Sequence, residues 1–332
     1  MAVICAALKI DGTLPYPFKQ MPEVRIIDIF VKILKMRKAC FPLFKLLFLS
    51  VIILSCDSAA EKEPKETGNA QTGNQAAEGA AGWDMGIALY SFNLFPFSVA
   101  IDKTDSAGAK FVEGFSFHSL KGEFKDTAMV NLSPYGISNM KKMLDDKGIR
   151  MRSMYVSDAK NAEDWKRHFE LAKTLGMEFI VCEPNKAHWN ILDSLGEIYN
   201  IKTAIHEHAK GSSMYWHPDS VLAAINGRKN IGACADLGHW VRSGLDPVKC
   251  LNQLKGHIIG IHLKDIAESN NPKGEDVLVG TGVIDFPGVV KELKSQNFKG
   301  VVYVECEHKM ENNVPDVIES IKYFNQVAKG NK

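Results

Sequence analysis

Short apolar runs of strand length alternate with longer amphipathic stretches along the chain from residue 83 onward. The helical stretches, such as Ala162–Leu175 and Pro287–Gln296, repeat their apolar residues at the period of an α-helix. Glycine follows several of them, as at Gly148 and Gly176, where a helix commonly ends. The predicted strands are residues 85–92, 109–115, 150–156, 178–184, 201–208, 231–237, 257–265 and 300–308.

Eight strands that are each followed by a helix or a long loop predict one fold, a closed parallel (β/α)₈ TIM barrel spanning residues 83–332. An open, doubly wound sheet is the alternative. It has little support, because no Gly-x-Gly-x-x-Gly motif follows the first strand.

The segment 36–56 has a charged start, an apolar middle and a small residue before Cys56. It resembles a bacterial lipoprotein signal, in which Cys56 would become the lipidated first residue. A transmembrane anchor is the alternative, but the uninterrupted apolar stretch 46–54 is short for a span of about 20 residues. We therefore expect a protein of the cell envelope that a lipid holds to the membrane. Residues 1–35 fit no signal, so Met36 is the expected start.

Residues 57–82 are rich in Glu, Lys, Gln, Gly and Ala and contain no aromatic residue. Such a composition cannot bury enough apolar surface to fold. It predicts a flexible linker between the signal and the barrel.

The charge balance argues against a nucleic-acid partner. The 332 residues include 40 Lys and Arg against 39 Asp and Glu, so the chain has no basic excess to neutralise a phosphate backbone. The seven cysteines form no Cys-x-x-Cys pair. Cys182, Cys234 and Cys306 lie in apolar runs and are expected to be buried as small hydrophobic residues.

Carboxylates and imidazoles recur where the predicted strands end. The carboxyl ends of barrel strands project into one shared mouth, so these side chains should meet there. Carboxylate oxygen together with imidazole nitrogen suits Mn²⁺, Co²⁺ or Zn²⁺, and suits Mg²⁺ less well. Without a cation, several buried charges would remain unpaired, at a high cost in free energy. The residues are Glu113, Glu183, His206, Glu207, His208, Asp236, His262, Lys264, Asp265, Glu305 and Glu307.

Four segments carry a resemblance to a known family: Asp236–His239, Gly260–Asp265, Gly280–Phe286, and Val304 with Glu305. In order and spacing they resemble the xylose isomerase-like TIM barrel superfamily of sugar isomerases and epimerases, inosose isomerases and dehydratases, and type IV apurinic endonucleases.

The resemblance implies metal ligands at the ends of strands five to eight: a Glu, an Asp, a His and a Glu. Asp236, His262 and Glu305 match the last three positions. The fifth strand departs from the pattern and places His206 at the ligand position, with Glu207 as the alternative after a one-residue slip.

The resemblance further implies proton transfer next to a metal-polarised carbonyl of a sugar. A lipoprotein outside the cytoplasm seldom meets phosphorylated sugars, so we expect the sugar to be non-phosphorylated. We expect a sugar isomerase or epimerase in which Glu305 or Glu183 is the general base. His208, His239 and Lys264 are candidates to protonate a leaving oxygen or to stabilise an enolate. The His-x-His of the fifth strand also suits a hydratase or dehydratase of a keto-sugar, as in the inosose dehydratases. A sugar-binding lipoprotein without catalysis is a third possibility.

Other residues are expected to shape the substrate pocket. Aromatic rings stack on the apolar face of a sugar, and three tryptophans follow strands four, five and six; packing within the loops is the alternative. Arg242 is expected to bind a hydroxyl or carboxylate. Glu113 is expected either to contact the substrate or to contact the metal ligands, or to form a salt bridge, without reaching the substrate. The tryptophans are Trp189, Trp216 and Trp240. The oligomeric state is left open, a homo-oligomer included.

Overall fold

The computed structural model describes residues 81–157 and 159–330. The predicted lipidation site Cys56, the predicted signal 36–56 and nearly all of the predicted linker 57–82 lie outside these residues, as do residues 1–35. Among the described residues, no helix is both long enough and apolar enough to cross a membrane.

Eight parallel strands close into a barrel, which confirms the predicted fold. Each strand pairs with the next along the chain, and β1 pairs with β8 to close the ring, Asp84 lying opposite Val301. The strands are β1 (Asp84–Ala88), β2 (Phe111–Phe115), β3 (Arg150–Val156), β4 (Phe179–Cys182), β5 (Lys202–His206), β6 (Ile231–Asp236), β7 (Ile258–Leu263) and β8 (Val301–Val304).

Helices surround the barrel and cover the outward faces of its strands. The best-delimited is α3, which begins after the cap Asn161, whose side chain accepts two backbone N–H groups, and ends at Gly176 in the left-handed conformation. The α-helices are α1 (Phe97–Ser106), α2 (Pro134–Asp145), α3 (Ala162–Leu175), α4 (Trp189–Tyr199), α5 (Pro218–Ile225), α6 (Leu237–Arg242), α7 (Pro247–Gln253), α8 (Phe286–Ser295) and α9 (Val314–Ala328).

The predicted seventh strand is longer than the observed one, because the chain leaves the barrel after Leu263. Residues Asp265–Ile266 instead form a short antiparallel ribbon with Asp276–Val277. The buried carboxylate of Asp265 accepts hydrogen bonds from the backbone N–H groups of Gly280 and Gly282, at 3.0 and 2.8 Å. This carboxylate holds the long β7–α8 loop close to the barrel mouth.

Candidate metal centre

Four side chains from adjacent strands meet at the carboxyl end of the barrel. The register places Asp236 of β6 beside His262 of β7, while His206 ends β5 and Glu305 follows β8. One possible ligand atom from each of these four buried residues lies within 4.8 Å of the other three. The four residues expected to hold a metal are therefore close enough to share one ion.

Three atoms of this cluster are buried and make no hydrogen bond of good geometry: Asp236 Oδ2, His262 Nδ1 and Glu305 Oε2. Buried polar atoms are normally hydrogen-bonded. Lys264 Nζ lies 3.3 Å from Asp236 Oδ2 and 3.1 Å from Glu305 Oε2, and a cation among the three atoms would complete their partners. The three atoms lie close together, with His262 Nδ1 2.9 Å from Glu305 Oε2 and 3.7 Å from Asp236 Oδ2. Two imidazole nitrogens and two carboxylate oxygens form a donor set that fits a divalent metal.

Asp236 has two roles at once. Its Oδ1 accepts the backbone N–H of His239 at 2.8 Å and caps the start of α6, while its Oδ2 faces the ligand cluster. Because a carboxylate has two oxygens, it can do both.

Each of the two candidate histidine ligands contacts a carboxylate through the ring nitrogen that faces away from the cluster. His206 Nδ1 lies 2.9 Å from Glu183, and His262 Nε2 lies 2.8 Å from Glu113. Such carboxylate–histidine pairs fix the ring orientation and the tautomer of a metal ligand. His206 is therefore left with Nε2 for an ion, and His262 with Nδ1.

Lys264 carries a buried ammonium beside the cluster. Its Nζ lies 3.1 Å from Glu305, 3.3 Å from Asp236 and 2.5 Å from Glu307. Burial opposes the charge, but the three carboxylates outweigh it and raise the pKa of Lys264 well above its ordinary value. Burial likewise opposes ionisation of Glu305, yet Lys264 and His262 lower its pKa. Both shifts favour the charged forms of Lys264 and Glu305.

Glu183 links the cluster to the cavity above it. Its Oε1 lies 2.9 Å from His206, 2.6 Å from His208 Nδ1 and 2.8 Å from the hydroxyl of Tyr155. Burial raises the pKa of Glu183, but the hydrogen bonds from both histidines outweigh it and lower the pKa overall. In the protein without metal, burial also opposes the charge on His206, while Asp236 and Glu183 raise its pKa to about 9.

A cavity of about 150 Å³ lies above the ligand cluster. It is lined by the predicted site residues His206, His208, His239, Lys264 and Glu305. Burial holds the pKa of His239 well below its ordinary value. Four aromatic residues that the sequence analysis did not single out also line it. They form an aromatic wall: Tyr90, Phe115, Phe117 and Tyr155. The rings of Phe115 and Tyr155 stack at 5.5 Å, and that of Phe117 is 5.5 Å from Phe115.

The three tryptophans lie elsewhere, because the chain turns toward the helix layer after each strand. Trp240 is completely buried in α6. The indole N–H of Trp189 donates to the hydroxyl of Tyr215 at 2.7 Å, and Lys210 lies over the ring of Trp216. None of the three is among the described residues that line this cavity.

Two other residues expected to contact substrate have partners within the protein. Arg242 binds the carboxylate of Asp276 and the carbonyl of Gly274, so its charge is already neutralised. Glu113 is completely buried and binds His262, which places it behind the ligands rather than in the cavity.

Glu207, the alternative ligand of the fifth strand, does not join the four-residue cluster. It is completely buried, and burial raises the pKa of its carboxyl group well above the ordinary value. Because side chains alternate along a strand, His206 and Glu207 point to opposite faces of β5.

The fold is that of a TIM barrel, and the cluster at its mouth could hold a metal ion. Residues 101–327 match the xylose isomerase-like TIM barrel family, and the chain belongs to that family. An inosose dehydratase from Clostridium beijerinckii is 25% identical over 245 residues, which cover 59% of this chain and 82% of that protein.

Two solved structures share the fold. The IOLI protein with a bound zinc atom has a TM-score of 0.59 at 18% identity, covering 74% of this chain and 98% of that one. A xylose isomerase-like barrel protein from Mycobacterium smegmatis in complex with magnesium has a TM-score of 0.61 at 14% identity, covering 76% and 98%.

These relationships show an enzyme of either the isomerase and epimerase class or the hydro-lyase class, and they support a sugar-modifying activity. The ligand cluster and the metal-containing neighbours support a divalent metal. The sequence favoured isomerisation first and dehydration second. The inosose dehydratase relative reverses that order.

Proposed function

We propose that this protein is a metal-dependent hydro-lyase that removes water from a keto-sugar or an inosose-type cyclic polyol. The observation that carries the proposal is the presence of two unlike proton-transfer groups beside one metal cluster. One is the pair Glu183–His208, and the other is the pair Glu307–Lys264. An epimerase that works with two equivalent bases has no need of this difference.

The metal would be held by His206, Asp236, His262 and Glu305. When bound, it supplies a Lewis acid for the carbonyl and enolate oxygens. The nitrogen and oxygen donor set favours Mn²⁺, Co²⁺ or Zn²⁺ over Mg²⁺.

His208 serves as the general base. Its Nδ1 is engaged by Glu183 at 2.6 Å, which leaves Nε2 to take a proton from the carbon next to the substrate carbonyl. The ionised Glu183 stabilises the imidazolium that forms. His208 lines the cavity, so it can reach a bound ring.

Lys264 serves as the general acid for the leaving group. Its ammonium donates a proton to the hydroxyl on the next carbon as the C–O bond breaks, so that one water leaves and a C=C bond remains. Three carboxylates surround Lys264, and they hold the ammonium in place until it gives up its proton and becomes a neutral amine.

The aromatic wall supports a cyclic substrate, because ring faces pack on the apolar C–H face of a sugar or cyclitol. The 150 Å³ cavity suits a single six-membered ring rather than a longer chain of sugars. We further propose that the protein is a lipoprotein of the cell envelope, anchored through Cys56, so that its substrates are not phosphorylated.

The test is to incubate the metal-loaded protein with candidate keto-sugars and inososes in deuterated water and follow them by NMR. Dehydration predicts loss of one hydroxyl-bearing carbon signal and appearance of an enol or diketone. Deuterium exchange with inversion at one carbon, and no loss of water, would instead support an epimerase. If no substrate changes but sugars still bind, the protein is a binding lipoprotein.

A further inference from the structure

A chain of buried polar side chains runs behind the metal cluster. Glu113 Oε1 lies 2.8 Å from His262 Nε2, and its Oε2 lies 2.8 Å from the hydroxyl of Ser153. That hydroxyl is in turn 2.9 Å from the hydroxyl of Tyr303. Glu113, Ser153 and Tyr303 are all completely buried, and His262 is 1% exposed. The chain therefore lies inside the barrel, beyond the reach of substrate and bulk water.

The directions of these hydrogen bonds are fixed by the number of protons available. A hydroxyl donates once, so Ser153 donates to Glu113 and Tyr303 donates to Ser153. An ionised Glu113 can only accept, so the N–H on Nε2 of His262 donates to it. Every member of the chain is satisfied only if His262 carries its proton on Nε2. The tautomer of His262 is thereby set, and Nδ1 is left free for an ion.

Glu113 could itself be a ligand, because it forms a second possible cluster with Cys234 and His262. The hydrogen bonds argue against that role. Both oxygens of Glu113 already accept hydrogen bonds, whereas Asp236 Oδ2 and Glu305 Oε2 have ion-pair contacts with Lys264 but no hydrogen bond of good geometry. The unsatisfied atoms lie on the other side of the His262 ring, around Nδ1.

The two carboxylates behind the histidines also differ in their surroundings. The side chain of Glu183 is 17% exposed, and it is shared among two histidines and Tyr155. That of Glu113 is inaccessible and reaches only one histidine. Glu183 can therefore take part in proton transfer, but Glu113 has no path to the substrate.

We propose that Glu113, held by Ser153 and Tyr303, is the positioning residue that fixes the tautomer and ring orientation of His262 and so sets the affinity of the site for its metal. This role needs only a metal at the cluster. It holds whether the enzyme dehydrates or epimerises its substrate.

The test compares metal affinity across a set of variants of the full chain. Mn²⁺ binding is measured by competition with a chelator for Glu113→Gln, Glu113→Ala, Ser153→Ala and Tyr303→Phe. Loss of such a supporting carboxylate typically lowers metal affinity roughly 10- to 100-fold, and we expect Glu113→Ala to fall in that range. Ser153→Ala and Tyr303→Phe should each cost less. Neither should have a further effect in the Glu113→Ala background, because both act through Glu113.

Glu207→Gln is the matched control. Glu207 is also a completely buried strand-end glutamate, but it lies on the outward face of β5, so its substitution should leave Mn²⁺ affinity unchanged. Cys234→Ser should likewise leave Mn²⁺ affinity unchanged. A loss of Mn²⁺ affinity in that variant would instead favour the second cluster as the binding site.

The tautomer gives a readout that is independent of affinity and activity. In the zinc-loaded protein, imidazole ¹⁵N NMR should show the proton of His262 on Nε2. The proposal is overturned if that proton is on Nδ1, or if folded Glu113→Gln and Glu113→Ala both bind Mn²⁺ as tightly as the unaltered protein. It is also overturned if the effects of Ser153→Ala persist in full without Glu113.

Discussion

Nδ1 of His208 lies 2.6 Å from Oε1 of Glu183, which joins a cavity-lining imidazole to a carboxylate that also contacts the candidate metal ligand His206. This contact orients the imidazole and leaves Nε2 free. It is the basis for assigning proton abstraction to His208 rather than to the glutamates.

Replacing His208 with Asn should lower kcat roughly 10²- to 10⁴-fold, because general-base catalysis contributes about that much. Metal content should not change, since His208 is outside the four-ligand cluster. Turnover by NMR and metal content by mass spectrometry are measured on the same sample. The exposed His257 provides the control, and His257→Asn should behave as the unaltered protein. A large loss of metal in His208→Asn would contradict the assignment.

Replacing His262 or Asp236 with Ala should lower metal occupancy, because each removes one ligand and leaves its neighbours unpaired. Native mass spectrometry or elemental analysis after dialysis measures this. Full occupancy in both variants would defeat the metal assignment.

Added Mn²⁺ or Co²⁺ should raise the melting temperature of the unaltered protein. A ligand at 100 times its Kd stabilises the folded state by about 2.7 kcal/mol, which corresponds to roughly 5–10 °C in a domain of this size. The shift should be much smaller in His262→Ala. No shift at millimolar metal would count against the site.

Replacing Phe117 with Ala should raise KM several-fold, with a smaller effect on kcat. An aromatic contact of this kind contributes about 1 kcal/mol to binding, and it does so in the ground state and the transition state alike, so its loss affects KM more than kcat. Trp216→Ala is the control, since Trp216 is not among the residues that line the cavity. The reverse result, a higher KM only in Trp216→Ala, would place the substrate elsewhere.

His118 should make the protein less stable in acid. Burial lowers the pKa of His118 from 6.5, the value of the unperturbed side chain, to about 4 in the folded state. A hydrogen bond with the backbone of Phe95 offsets this lowering only in part. The unfolded chain therefore binds a proton first as the pH falls, so the stabilising effect of a neutral His118 is complete above pH 6.5 and is lost toward pH 4.

The corresponding loss of unfolding free energy is roughly 2–3 kcal/mol between pH 7 and pH 4.5. Urea unfolding at both pH values should show this loss in the unaltered protein but not in His118→Gln. Equal pH dependence in the two proteins would mean that His118 is not buried in its neutral form.

Replacing Cys56 with Ser should abolish lipid modification and release the protein from the membrane fraction, if the signal at 36–56 is that of a lipoprotein. Metabolic labelling with a radioactive fatty acid and fractionation of cells measure both effects. Cys182→Ser is the control, because that cysteine is buried in β4. Retention of the label in Cys56→Ser would place the modification elsewhere.

Periodicity was enough to predict the fold and which strand-end residues face the barrel interior, whereas the choice of four candidate ligands came from the resemblance to the family. Alternation along β5 separates His206 from Glu207, and parallel strands bring their carboxyl ends to one mouth, so Asp236, His262 and Glu305 had to converge. The order of all eight strands was predictable for the same reason.

Only the tertiary structure decided what surrounds those ligands. The aromatic wall comes from residues such as Tyr90 and Phe117 that follow or end the first strands, and nothing in their spacing distinguishes them from Trp189 and Trp216. Once a chain leaves its strand, the loop sets the direction of the next side chain, and strand periodicity no longer applies. The pairing of Glu113 with His262 likewise joins residues 149 positions apart, through a barrel interior that forms only when the sheet closes.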